Sequence, residues 1–411
     1  MSMLSRLAGR QCSRFNSWPA GTRMAMQLVV PAELLPDECR VAATPETVKG
    51  WISQGHVVAV ESGAGARAGV PDEAYRQAGA SISEDLLAEL ARADVVLKVR
   101  RPLGGEGALR DEISAMREGS TLLAVMEPWQ HGKELLALAR RHIVSYGLEL
   151  VPRISRAQSM DVLSSQANLA GYKAVLDAAA HFGRAFPMMM TAAGTIAPAR
   201  VFVMGAGVAG LQAIATARRL GAVVAATDVR LAAKEQVESL GATFVMVASE
   251  ESAKAETTGG YAQEMSEDYR QRQAELVAQT LRKTDIVITT ALVPGKRAPL
   301  LVSEEMLDLL RPGSVIVDLA ADAGGNCAGT VPGEVVSRGG VTIVGHRNMP
   351  SRLPIDASAL FARNIRHFMD LLMDKESGTP RNTSEDEILV ASRLTEGGRI
   401  VQDRFSPSPV T

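Results

Sequence analysis

Cysteine, histidine and net charge are all scarce in this chain of 411 residues. Its three cysteines, Cys12, Cys39 and Cys327, are widely spaced and odd in number, which argues against a disulfide framework and favours a reducing compartment. The six histidines show no ligand spacing, so no metal site is predicted. A formal net charge of −2 gives no electrostatic reason to expect nucleic acid as a partner.

Long hydrophobic runs are absent as well. No stretch of about 18 apolar residues occurs, so the chain itself is not expected to span a membrane. The most apolar candidate, Phe186–Ala193, is short and is interrupted by Pro187. A hydrophobic share of 46% over this length is instead typical of a globular protein with two or more domains.

Residues 1–25 are rich in arginine and serine, and no acidic residue occurs before Glu33. This composition is compatible with a mitochondrial presequence. An upstream start codon, with Met24 or Met26 as the true beginning, explains it equally well and is preferred because Met26 directly precedes the first predicted strand. Either way, we treat residues 1–25 as an N-terminal extension outside the fold.

Strand-like and helix-like segments alternate along the rest of the chain, which predicts an α/β fold with parallel sheets. We expect two Rossmann-like, doubly wound domains, at 26–164 and 165–349, with a cofactor cleft between them. A long helix should begin at Ser165, interrupted at most near Gly171. Helix 350–375 should complete the first domain, and the polar segment 376–411 is predicted to be a tail or linker. The predicted strands are Gln27–Val30, His56–Glu61, Ala93–Val99, Thr121–Val125, His142–Leu148, Val201–Met204, Val223–Thr227, Phe244–Val247, Asp285–Thr290, Ser314–Asp318 and Val341–Val344.

The most informative motif follows an apolar run in the second half of the chain, where Gly205, Gly207 and Gly210 have the spacing Gly-x-Gly-x-x-Gly. The first glycine permits a tight turn, the second lets a pyrophosphate approach backbone N–H groups, and the third lets the following helix pack on the strand. Asp228 ends the next predicted strand, where an acid accepts hydrogen bonds from the adenosine ribose. Its charge would repel a 2′-phosphate, so the motif predicts NAD(H), although Arg230 nearby weakens that preference.

Several long segments resemble a single family. They are VPRISRAQSMDVLSSQANLAGYKAV at 151–175 and, further along, RAFPMMMTAAGTIAPARVFVMGAGVAGLQAIATARRLGA, KEQVESLGA, TTGGYAQEM, TDIVITTALVPGK and DLAADAGGN. From about Gln27 to Val401 the chain resembles the NAD(H)-binding component of the proton-translocating NAD(P) transhydrogenases, in a superfamily that also contains alanine dehydrogenase. The resemblance implies that NADH binds between the two domains and that a separate component holding NADP(H) docks over the cleft. It also implies that hydride passes directly between the nicotinamides, coupled to proton movement through a membrane component.

The resemblance also implies a catalytic loop, because Arg153, Gln158 and Asp161 match the family's loop position by position. Arg153 would donate to the carboxamide or to phosphate, and Asp161 with Ser164 would hold the carboxamide and orient Arg153. Gln158 would reach the ribose of the second nucleotide. None of them needs to be an acid or a base, since direct hydride transfer moves no separate proton.

Further residues are implied to line the nucleotide. Besides Asp228 and the glycine motif they are Val208, Val229, Arg230, Gly260, Gln273 and Leu292. Tyr261 matches the family's mobile-loop tyrosine, which closes over bound NADH. From the residues alone, the run TTGGY at 257–261 fits a flexible flap or an ordinary solvated loop.

Partners and location follow from the same resemblance. We expect a homodimer at the cytoplasmic face of the inner membrane, with the mitochondrial matrix as the alternative. The chain stops at Thr411 without the apolar spans of fused members of the family. Membrane-spanning partner subunits and an NADP(H)-binding domain are therefore expected.

Two other functions stay open. An alanine dehydrogenase would use a lysine and a histidine; Lys98 is in the right place, but the strand LLAVMEPW at 122–129 offers Glu127, and His131 is displaced. Without an imidazole, oxidative deamination lacks its acid and base, so Lys98 is interpreted as a remnant or an ion-pairing residue. The second alternative is an NAD(H)-sensing subunit without turnover, which a hydride-transfer assay with the partner subunits would distinguish.

Overall fold

A computed structural model describes residues 25–105, 107–247, 266–374, 376–382 and 385–406. It confirms the predicted α/β class, with two separate open sheets that are mostly parallel. None of the helices in these ranges combines the length and the apolar character needed to cross a bilayer.

The strands, numbered in chain order, are β1 Gln27–Val30, β2 Val57–Glu61, β3 Ser81–Ser83, β4 Val95–Arg100, β5 Thr121–Val125, β6 Val144–Gly147, β7 Met189–Thr191, β8 Gly194–Ile196, β9 Arg200–Met204, β10 Val223–Thr227, β11 Thr243–Phe244, β12 Ile286–Thr289, β13 Val315–Asp318, β14 Val335–Arg338, β15 Val341–Val344, β16 Arg393–Glu396 and β17 Arg399–Ile400. The helices are α1 Pro45–Ser53, α2 Asp72–Gln77, α3 Leu86–Leu90, α4 Glu112–Ala115, α5 Gly132–Arg140, α6 Val162–His181, α7 Val208–Arg219, α8 Ala233–Ser239, α9 Glu267–Leu281, α10 Glu304–Leu307, α11 Pro354–Leu372 and α12 Glu387–Ser392.

The first sheet has the order β17-β16-β6-β5-β4-β1-β2-β3. The six strands from β1 to β6 are parallel, whereas β16 pairs antiparallel with β6 and with β17. The prediction that 376–411 is a tail or linker is therefore wrong for its described part. Leu394 is fully buried, and the hydroxyl oxygens of Thr395 and Ser145 are 2.7 Å apart. The segment covers the open edge of β6, a contact that its polar composition conceals.

The second sheet has the order β11-β10-β9-β12-β13-β15-β14. It is parallel except for β14, which pairs antiparallel with β15. From β9 the chain winds first toward β11 and then, from β12 onward, in the other direction. The carboxyl ends of β9 and β12 therefore flank the switch point, where open α/β sheets bind ligands.

Two long helices join the domains. α6 is continuous through Gly171, so the suggested interruption does not occur. A Cβ atom at Gly171 would lie 2.0 Å from the carbonyl oxygen of Ala209 in α7, which shows that the two helix backbones touch. α11 buries Phe361, Ile365 and Phe368 completely in the core under the first sheet.

One further contact joins the domains at their rim. Trp129, just after β5, packs edge-on against Phe405 with ring centroids 5.3 Å apart. A Cβ at Gly295, in the loop after β12, would lie 2.5 Å from Cδ1 of the Trp129 indole. The indole of the first domain therefore lies against bare backbone of the second.

Candidate nucleotide-binding cleft

The glycine turn between β9 and α7 is tightly packed at its first and third glycines. Gly205 has a φ of 108°, and a Cβ there would lie 2.4 Å from Oγ1 of Thr290. The Thr290 hydroxyl donates to the Gly205 carbonyl over 3.1 Å. A Cβ at Gly210 would lie 1.8 Å from the same carbonyl oxygen. The sequence analysis did not identify Thr290 as part of this turn. Thr290 lies far from the glycine motif along the chain, and a threonine gives no sequence signal of such a contact.

The middle glycine of the motif, Gly207, is not tightly packed. Gly207 caps α7 with ordinary extended angles, φ −76° and ψ −167°, and a Cβ built there meets no atom of the described residues within 4 Å. The N-terminus of the 12-residue helix α7 therefore faces open space at the one position where the motif needs access for a ligand. Backbone N–H groups and the helix dipole favour an anion at such a position.

Asp228 directly follows β10, beside this turn. Its Oδ2 accepts from the backbone N–H of Ala206 over 2.7 Å. Arg230 donates through Nε to Oδ1 over 2.9 Å and through a terminal nitrogen to Oδ2 over 3.0 Å. Burial alone would raise the pKa of Asp228, but these hydrogen bonds and the Arg230 charge outweigh it and hold the pKa below its ordinary value. The carboxylate is ionised, and a ribose would have to share it with Arg230.

The other predicted lining residues differ in their contacts. Val208, Val229 and Leu292 are exposed at the carboxyl edge of the second sheet, where they can contact a ligand. Gln273 on α9 accepts from the backbone N–H of Val247 over 2.9 Å, so its amide ties the helix to the sheet edge. Gly260 and Tyr261, with the suggested flap, lie outside the described residues.

The loop that carries Leu292 is held by a second residue that sequence reasoning missed. Asn326 is fully buried and donates to the carbonyl oxygens of Ala291 over 2.9 Å and of Pro299 over 2.7 Å. It also accepts from the backbone N–H of Ala291 over 3.0 Å. The motif DLAADAGGN thus fixes the loop after β12 through side chain-to-backbone bonds.

The four predicted catalytic residues are brought together around one cavity of about 380 Å³. Its lining residues are Pro152, Arg153, Ile154, Ala157, Gln158, Asp161 and Ser164. Asp161 caps α6: its carboxylate accepts from the Ser164 backbone over 2.9 Å and from the Ser164 hydroxyl over 2.6 Å. Arg153 and Gln158 are exposed, and among the described residues no hydrogen bond joins Arg153 to Asp161. Their roles stay predictions.

Lys98 does not face an open site. Its Nζ lies 3.4 Å from a carboxylate oxygen of Glu33 and 3.3 Å from one of Glu112, and all three side chains are at most 2% exposed. Glu112 is also paired with Arg110 at 2.7 Å. Of the two interpretations of Lys98, the structure supports the ion-pairing residue.

Glu127 occupies the strand end where an alanine dehydrogenase would need its histidine. Arg100 donates to both of its carboxylate oxygens over 2.9 Å. His131 lies one turn away and its Nδ1 contacts Glu134 at 3.1 Å. Its Nε2 lies 3.9 Å from a carboxylate oxygen of Glu127, so the imidazole is close to that strand end.

Glu149, in the segment that leads to Arg153, has a buried carboxylate oxygen, Oε2. Oε1 accepts from the backbone N–H groups of Met126 and Glu127 over 2.8 and 2.5 Å, whereas Oε2 has no hydrogen-bond partner among the described residues. Burial raises its pKa from 4.5 to about 7, although those N–H groups act in the opposite direction. The folded protein therefore holds this proton more tightly than the unfolded chain does.

Glu149→Gln should stabilise the protein in alkali but not in acid. Stability from a raised pKa is fully present below the unfolded value and is lost as pH rises through the folded value, here near 7. The neutral amide avoids that loss, so the free energy of unfolding at about pH 8 should rise by up to about 3 kcal/mol, with little change at about pH 5. Denaturant titrations at both pH values measure the difference. A gain that is independent of pH, or one shared by the exposed control Glu235→Gln, would contradict it.

The comparisons with known proteins agree with this geometry. Residues 29–170 match the family profile described as the alanine dehydrogenase/PNT N-terminal domain, and residues 174–403 match its C-terminal domain. A Rhodospirillum rubrum protein, described as the first part of NAD(P) transhydrogenase subunit alpha, is 54% identical over 92% of this chain and 98% of its own length. NAD(P) transhydrogenase subunit alpha of Cereibacter sphaeroides is 43% identical over 91% of this chain and 71% of its own.

A solved transhydrogenase structure from Sinorhizobium meliloti has a TM-score of 0.81 at 50% identity, covering 91% of this chain and all of that chain. An L-alanine dehydrogenase structure has a TM-score of 0.75 at 24% identity, which shows a shared fold. The chain belongs to the alanine dehydrogenase/PNT family and, within it, to the NAD(P) transhydrogenase alpha subunits.

Proposed function

We propose that this chain is the NAD(H)-binding component of a proton-translocating transhydrogenase. It would pass hydride directly between its own NAD(H) and NADP(H) held by a partner domain, while membrane-spanning partner subunits couple this to proton movement. It would lie at the cytoplasmic face of the inner membrane. The observation that carries the proposal is the cavity in which Arg153 and Gln158 are exposed, at the start of a helix that touches the dinucleotide turn.

The residues fit a dinucleotide. The open N-terminus of α7 at Gly207 would take the pyrophosphate, and the ionised Asp228 would accept from the ribose. Arg153, Asp161 and Ser164 supply donors and acceptors suited to a carboxamide. When bound, NAD(H) supplies the hydride. The chain would orient the bound NAD(H) and leave Gln158 facing the second nucleotide. Catalysis would then consist of placing the two nucleotides, without a protein acid or base.

Mixing the chain with NADH and the NADP⁺-loaded partner domain tests the proposal. Chromatographic separation of the nucleotides after a single turnover should show NADPH forming as NADH is consumed. NADH binding without transfer would instead support the sensing subunit. NADH formation from alanine and NAD⁺ would support the dehydrogenase. The buried Lys98, which is paired with both Glu33 and Glu112, argues against that function.

Gly207→Ala should weaken NADH binding without weakening the fold. In the part of the chain that the structure describes, the added methyl group meets no atom within 4 Å, and the backbone angles suit alanine, so the unfolding midpoint should hardly change. It would occupy the space of the pyrophosphate, and affinity should fall by about tenfold or more, roughly the effect of one lost charge-assisted hydrogen bond. A fluorescence titration with NADH measures this.

The matched control is Gly183→Ala, since a Cβ at Gly183 also meets no described atom within 4 Å but lies beyond the far end of α6. It should bind NADH like the parent protein. If the two variants bind equally, the pyrophosphate does not lie at Gly207.

We also propose that the chain is a homodimer joined through the hairpin β7–β8. This hairpin forms a two-stranded sheet of its own, and such hairpins are marginal in water when isolated. Met188, Met190 and Ile196 are 60%, 78% and 39% exposed on it, an apolar surface that suits burial against a second copy.

Met190→Asp should weaken the dimer on the order of a hundredfold, because a carboxylate would be buried without a partner. Sedimentation at micromolar concentration should show a dimer for the parent protein and a monomer for this variant. Leu109→Asp, at a residue that is 81% exposed elsewhere, is the control and should stay dimeric. A parent protein that sediments as a monomer would contradict the proposed homodimer.

A further inference from the structure

The side-chain amide of Asn364, on α11, lies under the Arg153–Ser164 loop. Its Nδ2 donates to the carbonyl oxygen of Ser159 over 2.7 Å, and its Oδ1 accepts from the hydroxyl of Ser165 over 2.7 Å. The side chain is buried, with 7% exposed. Because a carbonyl only accepts, the amide has one orientation here, and both of its ends are used.

The two contacts bracket the loop. Ser159 follows Gln158 in the short 3-10 turn Ser155–Met160, and Ser165 follows Ser164 in the first turn of α6. One rigid group thus fixes the separation of two backbone segments between which Asp161 lies. The turn is short and Gln158 is exposed, so the backbone decides where its side chain points.

The support under Asn364 is rigid. Its neighbours Phe361, Ile365 and Phe368 are fully buried in the core of the first domain. Asn364 therefore anchors the loop to that core. It does so although it lies about 200 positions away in sequence (364 against 159 and 165).

We propose that Asn364 is a positioning residue for hydride transfer. It holds the Gln158–Ser164 loop in the position needed to contact the second nucleotide. This inference rests on the proposed function. Asparagine is suited to the task because it offers a donor and an acceptor at fixed separation. An aspartate would set a carboxylate oxygen against the Ser159 carbonyl, and an alanine would leave both polar partners unpaired.

The test compares Asn364→Asp and Asn364→Ala with Ser358→Ala. Ser358 lies on the same helix, is 1% exposed, and accepts from the backbone N–H of Val41 over 3.0 Å, away from the loop. Single-turnover transfer from NADH to the partner's NADP⁺ should fall about tenfold to a hundredfold in both Asn364 variants, as a misplacement of up to about 1 Å would cause. The dissociation constant for NADH should stay within about threefold, and Ser358→Ala should transfer at the parent rate despite a similar loss of thermal stability.

Hydrogen exchange separates this inference from the proposed function. Backbone amides at 155–165 should exchange faster in Asn364→Ala than in Ser358→Ala. If the parent protein transfers no hydride, the proposed function fails, while the exchange data still decide whether Asn364 holds the loop. Parent-like transfer in Asn364→Ala, or an equal loss of transfer in Asn364→Ala and Ser358→Ala, would overturn the positioning role.

Discussion

Shortening Gln158 to asparagine should slow hydride transfer about a hundredfold and leave NADH affinity almost unchanged. The change removes one methylene and keeps the amide. Gln158 is exposed at the cavity and contacts no part of the glycine turn or of Asp228 through a hydrogen bond in the described structure. Its proposed task is to meet the second nucleotide, where a gap of about 1 Å has its largest effect on the transfer step.

Stopped-flow transfer with the partner domain and a separate NADH titration measure the two quantities. Gln77→Asn, the same change on the exposed face of α2, is the control and should behave like the parent protein. Arg153→Ala should weaken both binding and transfer. If Gln158→Asn loses transfer only as far as it loses NADH affinity, Gln158 belongs to the NADH site and the proposed docking role is wrong.

Gly171→Ala should damage the protein even though alanine is the better helix former. In a free helix this change stabilises by about 1 kcal/mol. Here the new methyl group would lie 2.0 Å from the Ala209 carbonyl oxygen, so α6 and α7 must separate by about 1 Å, at a cost of about 1–3 kcal/mol. Since α6 begins at the Arg153–Ser164 loop and α7 at the glycine turn, NADH binding and hydride transfer should both fall, transfer by on the order of a hundredfold.

Thermal unfolding, NADH titration and single-turnover transfer measure the three effects. Gly183→Ala is the control, because an added Cβ there meets no atom within 4 Å among the residues that the structure describes. A gain in stability at Gly171 with parent-like transfer would mean that the close helix contact is not required.

The glycine turn between β9 and α7 was predictable because it is local. The strand, the three glycines and Asp228 occupy one continuous stretch, and each residue type has a steric or electrostatic reason to be there. The Arg153–Ser164 loop was found by resemblance, since its residue types alone describe a polar turn.

What holds these pieces together could not be predicted in the same way. Thr290, Asn326 and Asn364 act through hydrogen bonds to backbone far away in sequence, and a threonine or asparagine carries no periodic signal. Gly171 was interpreted as a possible break, because sequence alone does not distinguish a weak helix position from a close helix contact. The strand β16 was missed because it is short and lies among polar residues.

The rim contact between Trp129 and Gly295 gives the molecule an optical marker of its own. The sequence has three tryptophans; Trp51 is 1% exposed in the core and Trp18 precedes the described residues. Trp129 is 42% exposed, with one part of its ring against the second domain. Any rotation that parts the two domains would transfer that part of the indole into water and shift its emission to longer wavelength. The opening and closing of the cleft can therefore be followed in solution by this tryptophan emission, without an attached label. The Trp129→Phe variant, which lacks the signal, is the control.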